Sequence, residues 1–220
     1  NIYEAVSEHP EIKIINIGSS CIYPLGVENP IKEESLMTGK LEPTNSPYSM
    51  AKLTAVELGK SLKEEKGHKI INLMPTNLYG PNDRFEEMNS HVIPGLIYKM
   101  HNAVVNNYKE VEIWGSGKPL REFMHVDDLS SAIEFLIENE TSDDILNVGS
   151  NEVVSIKELS KLIQKVVGFE GNLIFNQDYP DGNPKKLLDS TQINSLGWRS
   201  SISLEEGISN TYSWYVDSLN

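Results

Sequence analysis

The 220-residue chain has a single cysteine, Cys21. An internal disulfide is therefore excluded, and a reducing compartment, the cytoplasm, is expected. No apolar run approaches the ~18–20 residues of a membrane span, and no charged-then-apolar leader is read at the start, so a membrane is not an expected partner. Positive charge is scarce: 19 Lys and Arg stand against 32 Asp and Glu, a net charge of −13. Such a surface repels phosphate backbones, which argues against nucleic acid as a partner. A phosphate-bearing ligand would need a local basic pocket. There is also no Gly-x-x-Gly-x-x-Gly turn to seat a pyrophosphate on a helix N-terminus. What is present is ordinary for a folded chain, since 39% hydrophobic and 23% charged residues argue against disorder. At roughly 150 residues per domain, the length predicts one large domain or one domain and part of another.

The pattern alternates helix and strand. Residues 1–9 read as helical, and Lys13 to Gly18 as a buried strand. A helix feeding directly into a strand is the second half of a β-α-β unit, so the reading expects about three earlier β-α units, on the order of 90 residues, to precede this segment. A long loop runs from Ser20 to Ser46, of the kind that is usually functional. Ser46-Pro47 reads as a helix start with Ser46 as cap, Ala51, Ala55, Leu58 and Leu62 as the apolar face, and Gly67 as the stop. His68 to Met74 reads as a strand and Pro75 to Pro81 as a loop. Further on, residues 90–109 and Asp127–Glu138 read as helices, and Val111–Trp114 and Ile145–Val148 as strands. Ser155-Ile-Lys-Glu158 and Ser203-Leu-Glu-Glu206 read as capping boxes, and Asp189–Leu196 as a short helix. The fold class reads as α/β: the C-terminal part of a Rossmann-type parallel sheet plus a smaller mixed α/β domain, the expected place for a substrate. Residues 1–81 are assigned to the first, with 111–150 returning to it, and 82–110 with 151–220 to the second.

Tyr48 and Lys52 stand four apart on the predicted helix, which puts both on one face. An ammonium beside a phenol favours the phenolate, and such a tyrosine exchanges a proton with a carbonyl or alcohol oxygen. A plain solvated pair is the competing reading. Ser19 and Ser20 follow the buried strand at the carboxyl end of a parallel sheet, where open α/β folds place ligands. The adjacent acids Asp127-Asp128 read as a helix cap, not a metal site. His125 is read as orienting the loop before that cap.

Strand-Ser, loop, then Tyr-x-x-x-Lys is the active-site order of the short-chain dehydrogenase/reductase family. The chain resembles the extended, nucleotide-sugar branch of that family over nearly its whole length. The resemblance rests on Gly18-Ser-Ser-Cys-Ile-Tyr-Pro24, Glu42-Pro-Thr-Asn45, Tyr48-Ser-Met-Ala-Lys52, Met74-Pro-Thr-Asn-Leu-Tyr-Gly-Pro81, Ser90-His-Val-Ile-Pro94, Trp114-Gly-Ser-Gly117, Arg121-Glu-Phe-Met-His-Val-Asp-Asp128, Asn147-Val-Gly149 and the Pro180 to Asp189 run.

The resemblance implies an NADP(H)-dependent epimerase-reductase acting on GDP-4-keto-6-deoxy-mannose. It inverts carbons 3 and 5 and then reduces the 4-keto group. Both inverted carbons flank the ketone, so their protons are acidified, and each inversion needs a base on one face and an acid on the other. Cys21 and His91 are the implied pair, since thiols and imidazoles titrate on either side of neutrality, near ~8.5 and ~6.5. Ser19, Tyr48 and Lys52 would stabilise the enolate oxygen, with Tyr48 the proton donor in reduction. Lys52, His91 and Pro75-Thr76-Asn77-Leu78 would contact the cofactor. Arg121 and Lys186 would hold the diphosphate, with Lys99, Trp114 and Asp181 also on the GDP-sugar. The family further implies a homodimer, packed through residues 1–9 and 48–66. Without the glycine-rich turn, these 220 residues alone are expected to bind NADPH weakly or not at all, and the sheet to expose an unpaired edge. Two other readings stay open here: a 4-epimerase or 4,6-dehydratase of the same superfamily, or an inactive nucleotide-binding fragment. A dehydratase would be expected to carry an acid after the serine segment, where this chain has Cys-Ile-Tyr-Pro.

Overall fold

The computed structural model describes residues 1–88 and 90–219. Its elements in order are α1 (Ile2–Val6), β1 (Ile14–Ile17), α2 (Ser46–Lys66), β2 (Ile70–Pro75), β3 (Asn77–Tyr79), α3 (Val92–Val105), β4 (Glu110–Trp114), β5 (Leu120–His125) and α4 (Val126–Glu138). Then follow β6 (Ile145–Val148), β7 (Val153–Ser155), α5 (Ile156–Val167), β8 (Asn172–Asn176), β9 (Lys185–Lys186), α6 (Thr191–Leu196) and α7 (Leu204–Ser218). The chain divides into two compact units. The first comprises Asn1–Thr76, Leu129–Asn151 and Leu187–Arg199; the second comprises Asn77–Asp128, Glu152–Lys186 and Ser200–Asn220.

Unit one is built on a parallel sheet in the order β1-β2-β6. β2 is the central strand and every one of its residues is buried. That is why Ile70–Pro75 reads as an unbroken apolar run with one polar exception. The exception, Asn72, donates to the Asp144 carbonyl (2.9 Å) and accepts from Asn16 (2.8 Å). Among the described residues β1 pairs only with β2, and its isoleucines are half-buried rather than buried. Ile22, Leu53, Val56, Met74 and Leu188 form the core on one side.

α2 starts at Ser46, with Asn45 as N-cap and Pro47 in its first turn, and Gly67 closes it at φ +74°. Its buried face differs from the expected one. Ser49, Leu53, Val56 and Gly59 turn inward, whereas Ala51 and Leu58 are exposed. The inward stripe includes a glycine for a steric reason: a Cβ at Gly59 would stand 3.2 Å from Ile70. A stripe read from the large apolar residues alone misses it.

One buried side chain gathers several contacts of the Ser20–Ser46 loop. Asn147 on β6 donates through Nδ2 to the carbonyls of Ile31 (2.8 Å) and Asp189 (3.2 Å), and its Oδ1 accepts from the Tyr23 hydroxyl (2.7 Å). Its backbone N–H donates to the Glu33 carboxylate (2.9 Å). Burial pushes the Glu33 carboxyl above its ordinary range, against the lowering effect of that hydrogen bond. Burial likewise raises the Tyr23 phenol, with the Glu33 charge adding to it.

Unit two carries β5 at its centre. β5 pairs in parallel with β3 and β9 and antiparallel with β7, while β4 and β8 form a separate parallel pair. These pairings place 111–128 in unit two, not with the first sheet as expected, and put the division at Thr76 rather than at residue 81. The stretch expected as a loop after Pro75 contains β3, which is short and lies in register Asn77–Phe123 to Tyr79–His125. α3 is shorter than the expected 90–109 helix. The core gathers Ile97, Met100, Ile113, Leu159, Ile163 and Ile208. Ser155 closes a complete capping box with Glu158. Ser203 accepts from the Glu206 N–H, without the reciprocal bond among the contacts of that cap. His125 accepts from the Asp127 N–H (3.3 Å), the orienting role expected of it. Asp127 and Asp128 lie inside the first turn of α4 rather than before it, and the Asp128 carboxylate accepts from the N–H groups of Ser201 (2.9 Å) and Ile202 (3.2 Å), fastening the segment ahead of α7.

Asn147→Ala removes the acceptor of the Tyr23 hydroxyl and a donor to the Asp189 and Ile31 carbonyls, the latter keeping the Asp189 N–H (2.8 Å); a group left dry costs about 1–3 kcal/mol. The urea midpoint of this variant should fall by the equivalent of about 2–4 kcal/mol. Glu33 binds its proton more tightly folded than unfolded. Its contribution to stability is therefore greatest below the ordinary carboxylate range and declines as pH rises toward the elevated folded value. Denaturant titrations across pH should show that decline in the wild type and its absence in Glu33→Gln.

Candidate active site

In unit one the site grows from the carboxyl end of β1. Gly18 ends the strand with its backbone against β2, where a Cβ would stand 2.5 Å from the Met74 sulfur. Ser19 then caps a single 3-10 turn, its hydroxyl accepting from the Cys21 N–H (3.1 Å). The Cys21 carbonyl accepts from the Ser49 hydroxyl on α2 (2.8 Å), and Cys21 is half-buried. Lys52 donates to the Ile17 carbonyl at 2.7 Å, tying α2 to the last residue of β1. Its ammonium lies 5.9 Å from the centre of the Tyr48 ring, and Tyr48 is 49% exposed. Ser19, Cys21, Tyr48 and Lys52 thus gather at one strand end, as the spacing requires. The direct partner of the ammonium is the strand carbonyl rather than the phenol oxygen. Pro75 and Thr76 end the neighbouring strand, and the Thr76 N–H donates to Val148 (3.0 Å).

Unit two holds a pocket of about 240 Å³ lined by His91, Lys99, Trp114, Arg121 and Asp181. His91 is the N-cap residue of α3, yet its ring makes no capping bond. The imidazole is 80% exposed and its Nδ1 lies 3.4 Å from Asp83 Oδ1. Lys99, two turns along α3, donates to the Glu112 carbonyl (3.3 Å) and lies 4.5 Å over the Trp114 ring. Burial lowers the Lys99 ammonium below its ordinary value, with Glu112 and Glu87 opposing. Trp114 is 41% exposed, so it is not a core residue, and it stacks on Tyr179 at 4.7 Å and 15°.

Asp181 accepts from the Ser116 N–H (2.7 Å) and hydroxyl (2.6 Å), and these bonds hold its carboxyl below the usual range. It therefore braces the Gly115–Gly117 turn. Gly115 adopts φ +84°, and a Cβ there would stand 2.6 Å from the Asp181 carboxylate. Arg121 stands on β5 directly across from Lys186 on β9. Lys186 is not among the pocket-lining residues but neighbours one that is. Asn77 donates to the Glu122 carbonyl (2.8 Å) and is half-buried in β3 beside Leu78. Two contributors were not singled out by sequence reasoning: Asp83 beside His91 and Tyr179 beneath Trp114. Tyr179 lies 65 positions from its partner, so no local spacing announces it; Asp83 sits in a Pro-Asn-Asp turn that reads only as a turn.

Among the described residues, no group of three or more His, Cys, Asp or Glu side chains could hold a metal ion. No described helix is long and apolar enough to cross a membrane.

Comparison with known proteins follows the same lines. Residues 1–149 match the NAD dependent epimerase/dehydratase family. The chain is 47% identical over 207 residues to probable GDP-L-fucose synthase 1 of Oryza sativa subsp. japonica, covering 94% of this chain and 63% of that protein. It is 43% identical to the GDP-L-fucose synthase of Escherichia coli K12, covering 99% of this chain and 70% of the relative. The structure of a GDP-L-fucose synthetase from Naegleria fowleri bound to NADP superposes with a TM-score of 0.93 at 29% identity, covering all of this chain and 70% of the other. The chain thus spans roughly two thirds of the length of these relatives. It belongs to the NAD dependent epimerase/dehydratase family, on the branch of the GDP-L-fucose synthases.

Proposed function

We propose that the protein converts GDP-4-keto-6-deoxy-D-mannose to GDP-L-fucose, by 3,5-epimerisation followed by NADPH-dependent reduction of the 4-keto group. The observation that carries this reading is the gathering of Ser19, Cys21, Tyr48 and Lys52 at the carboxyl end of β1, in a chain 43–47% identical to named GDP-L-fucose synthases. A 4,6-dehydratase or 4-epimerase is not favoured, since the position after the serine pair is a cysteine and these relatives carry the synthase name.

The chemistry follows from the ketone. A base removes the proton from carbon 3 or 5, and the C–H electron pair moves onto the carbonyl oxygen to give an enolate. Hydrogen bonds from Ser19 and Tyr48 stabilise that oxygen. An acid then returns a proton to the opposite face. Cys21 and His91 are assigned these transfers. In reduction the Tyr48 hydroxyl gives its proton to the carbonyl oxygen as the carbon accepts hydride. Lys52, whose ammonium is anchored on Ile17, supplies positive charge beside that phenol.

The residues present fit a nicotinamide cofactor. The ends of the paired strands β1 and β2 lie side by side, and the Lys52 ammonium is held on the Ile17 carbonyl at the first of them. Lys52, Pro75, Thr76, Asn77, Leu78 and His91 are the residues assigned to hold it. NADPH, when bound, supplies the hydride. Arg121 and Lys186, side by side on β5 and β9, are assigned the diphosphate of the GDP-sugar, with Lys99, Trp114 and Asp181 completing the pocket. Their local positive charge answers the problem posed by a chain of net charge −13. We further place the protein in the cytoplasm and read it as a homodimer through α1 and α2. The exposed Ile2, Met50 and Leu58 on those helices support that arrangement.

Two measurements test the reading on the protein at the full length of its relatives. Tyr48→Phe should lower NADPH oxidation with the 4-keto sugar by about 10²–10⁴-fold; an unchanged rate would remove Tyr48 as the proton donor. Arg121→Ala should weaken GDP binding in calorimetry by about tenfold or more, as expected for a charged hydrogen bond worth roughly 1.5–3 kcal/mol. Unchanged affinity would remove Arg121 from the diphosphate site.

A further inference from the structure

We propose that Asp83 is a positioning residue that fixes the tautomer and orientation of the His91 imidazole. The inference deepens the preceding reading and rests on its assignment of His91 to proton transfer. Asp83 Oδ1 lies 3.4 Å from His91 Nδ1, and the Asp83 side chain is only 20% exposed whereas the imidazole is 80% exposed. A carboxylate only accepts hydrogen bonds, and a neutral imidazole carries one N–H. Facing Asp83, that proton belongs on Nδ1. Nε2 then keeps its lone pair and acts as the base, and once protonated it is the acid.

The surroundings hold Asp83 rather than His91. Asp83 Oδ1 also accepts from the Arg84 N–H (2.8 Å), and Asn82 just before it adopts the left-handed conformation at φ +66°. Phe85 stacks on Tyr215 of α7 at 4.6 Å. The Ser90 hydroxyl accepts from the Glu86 N–H (2.9 Å) and lies 2.6 Å from the Arg84 carbonyl. On the other side, His91 is fixed by its backbone, since its carbonyl accepts from the Gly95 N–H (2.9 Å). Its ring is left with its own two side-chain torsions. A carboxylate with fixed backbone on each side removes that freedom, which is the entropy term positioning residues supply. In water a free histidine side chain favours the Nε2–H form, so the tautomer itself reports whether Asp83 acts.

The test uses the full-length protein with ¹⁵N-labelled histidine. Wild-type His91 should show the Nδ1–H tautomer in its ring nitrogen shifts, and Asp83→Ala should show Nε2–H. Solvent-hydrogen exchange at the ring carbons flanking the ketone should fall about tenfold or more in Asp83→Ala, within the 10²–10⁴-fold that a whole acid–base group is worth. Asp83→Glu should restore part of the exchange. If Asp83→Ala loses its fold, Asp83→Leu, close in size and without an acceptor, carries the same tautomer comparison. An Nε2–H tautomer in the wild type, or a wild-type tautomer and exchange rate in the variant, would overturn the proposal. If the wild type exchanges no carbon-bound hydrogen, the epimerase reading fails, and the tautomer comparison still decides the pairing of Asp83 with His91.

Discussion

Unit one depends on a buried amide. Asn147 lies at the carboxyl end of β6, and three stretches distant in sequence converge on its side chain and backbone: Tyr23 and Ile31, Glu33, and Asp189. The Ser20–Ser46 loop is long and contributes no strand to the sheet. Ordering so many residues costs conformational entropy that its contacts must offset. The amide adds a constraint, because it pairs the buried Tyr23 hydroxyl and joins the Ile31 and Asp189 carbonyls through one side chain. Tyr23 stands two residues beyond Cys21, so the same bond that fixes the loop also fixes where the thiol's turn ends. Lys52 adds a second tie, from α2 to the strand from which that turn departs.

Unit two solves an electrostatic problem. On the proposed reading, a chain of net charge −13 must still take a diphosphate. The positive groups that could do so are placed by strand pairing: the parallel register of β5 and β9 sets Arg121 beside Lys186, although the two are 65 positions apart. Lys99 is added from the adjacent helix, its ammonium over the Trp114 ring and partly desolvated. Removing such charges from bulk water strengthens their attraction for an anion. The Gly115–Gly117 turn, braced by Asp181, shapes the same wall.

Much of this was legible in the residues. The four-residue spacing of Tyr48 and Lys52, the serine after a strand, the Ser155 box and the glycine stops are local signals, and local signals survive into the fold. The failures were non-local. β3 is hidden in Pro-Thr-Asn-Leu-Tyr-Gly-Pro because its turn formers suggest a loop, and only pairing with β5 makes it a strand. β8 offers just Leu173 and Phe175 as half-buried apolar residues, too few for a periodic pattern without β4 beside it. The inward face of α2 was misread because its closest packing uses Gly59 and Ser49, which a search for large apolar residues passes over. Asp83 and Tyr179 are invisible for the same reason: what they do is set by the partner each meets in space.

The central claim is that one protein first exchanges hydrogen at the carbons beside the ketone and then reduces it. The most direct test is to incubate the full-length protein with GDP-4-keto-6-deoxy-mannose and NADPH in deuterated water and weigh the product. The account predicts NADPH consumption with deuterium at both carbon 3 and carbon 5. Consumption without deuterium there would contradict it, leaving a plain ketosugar reductase and no role in proton transfer for Cys21 and His91.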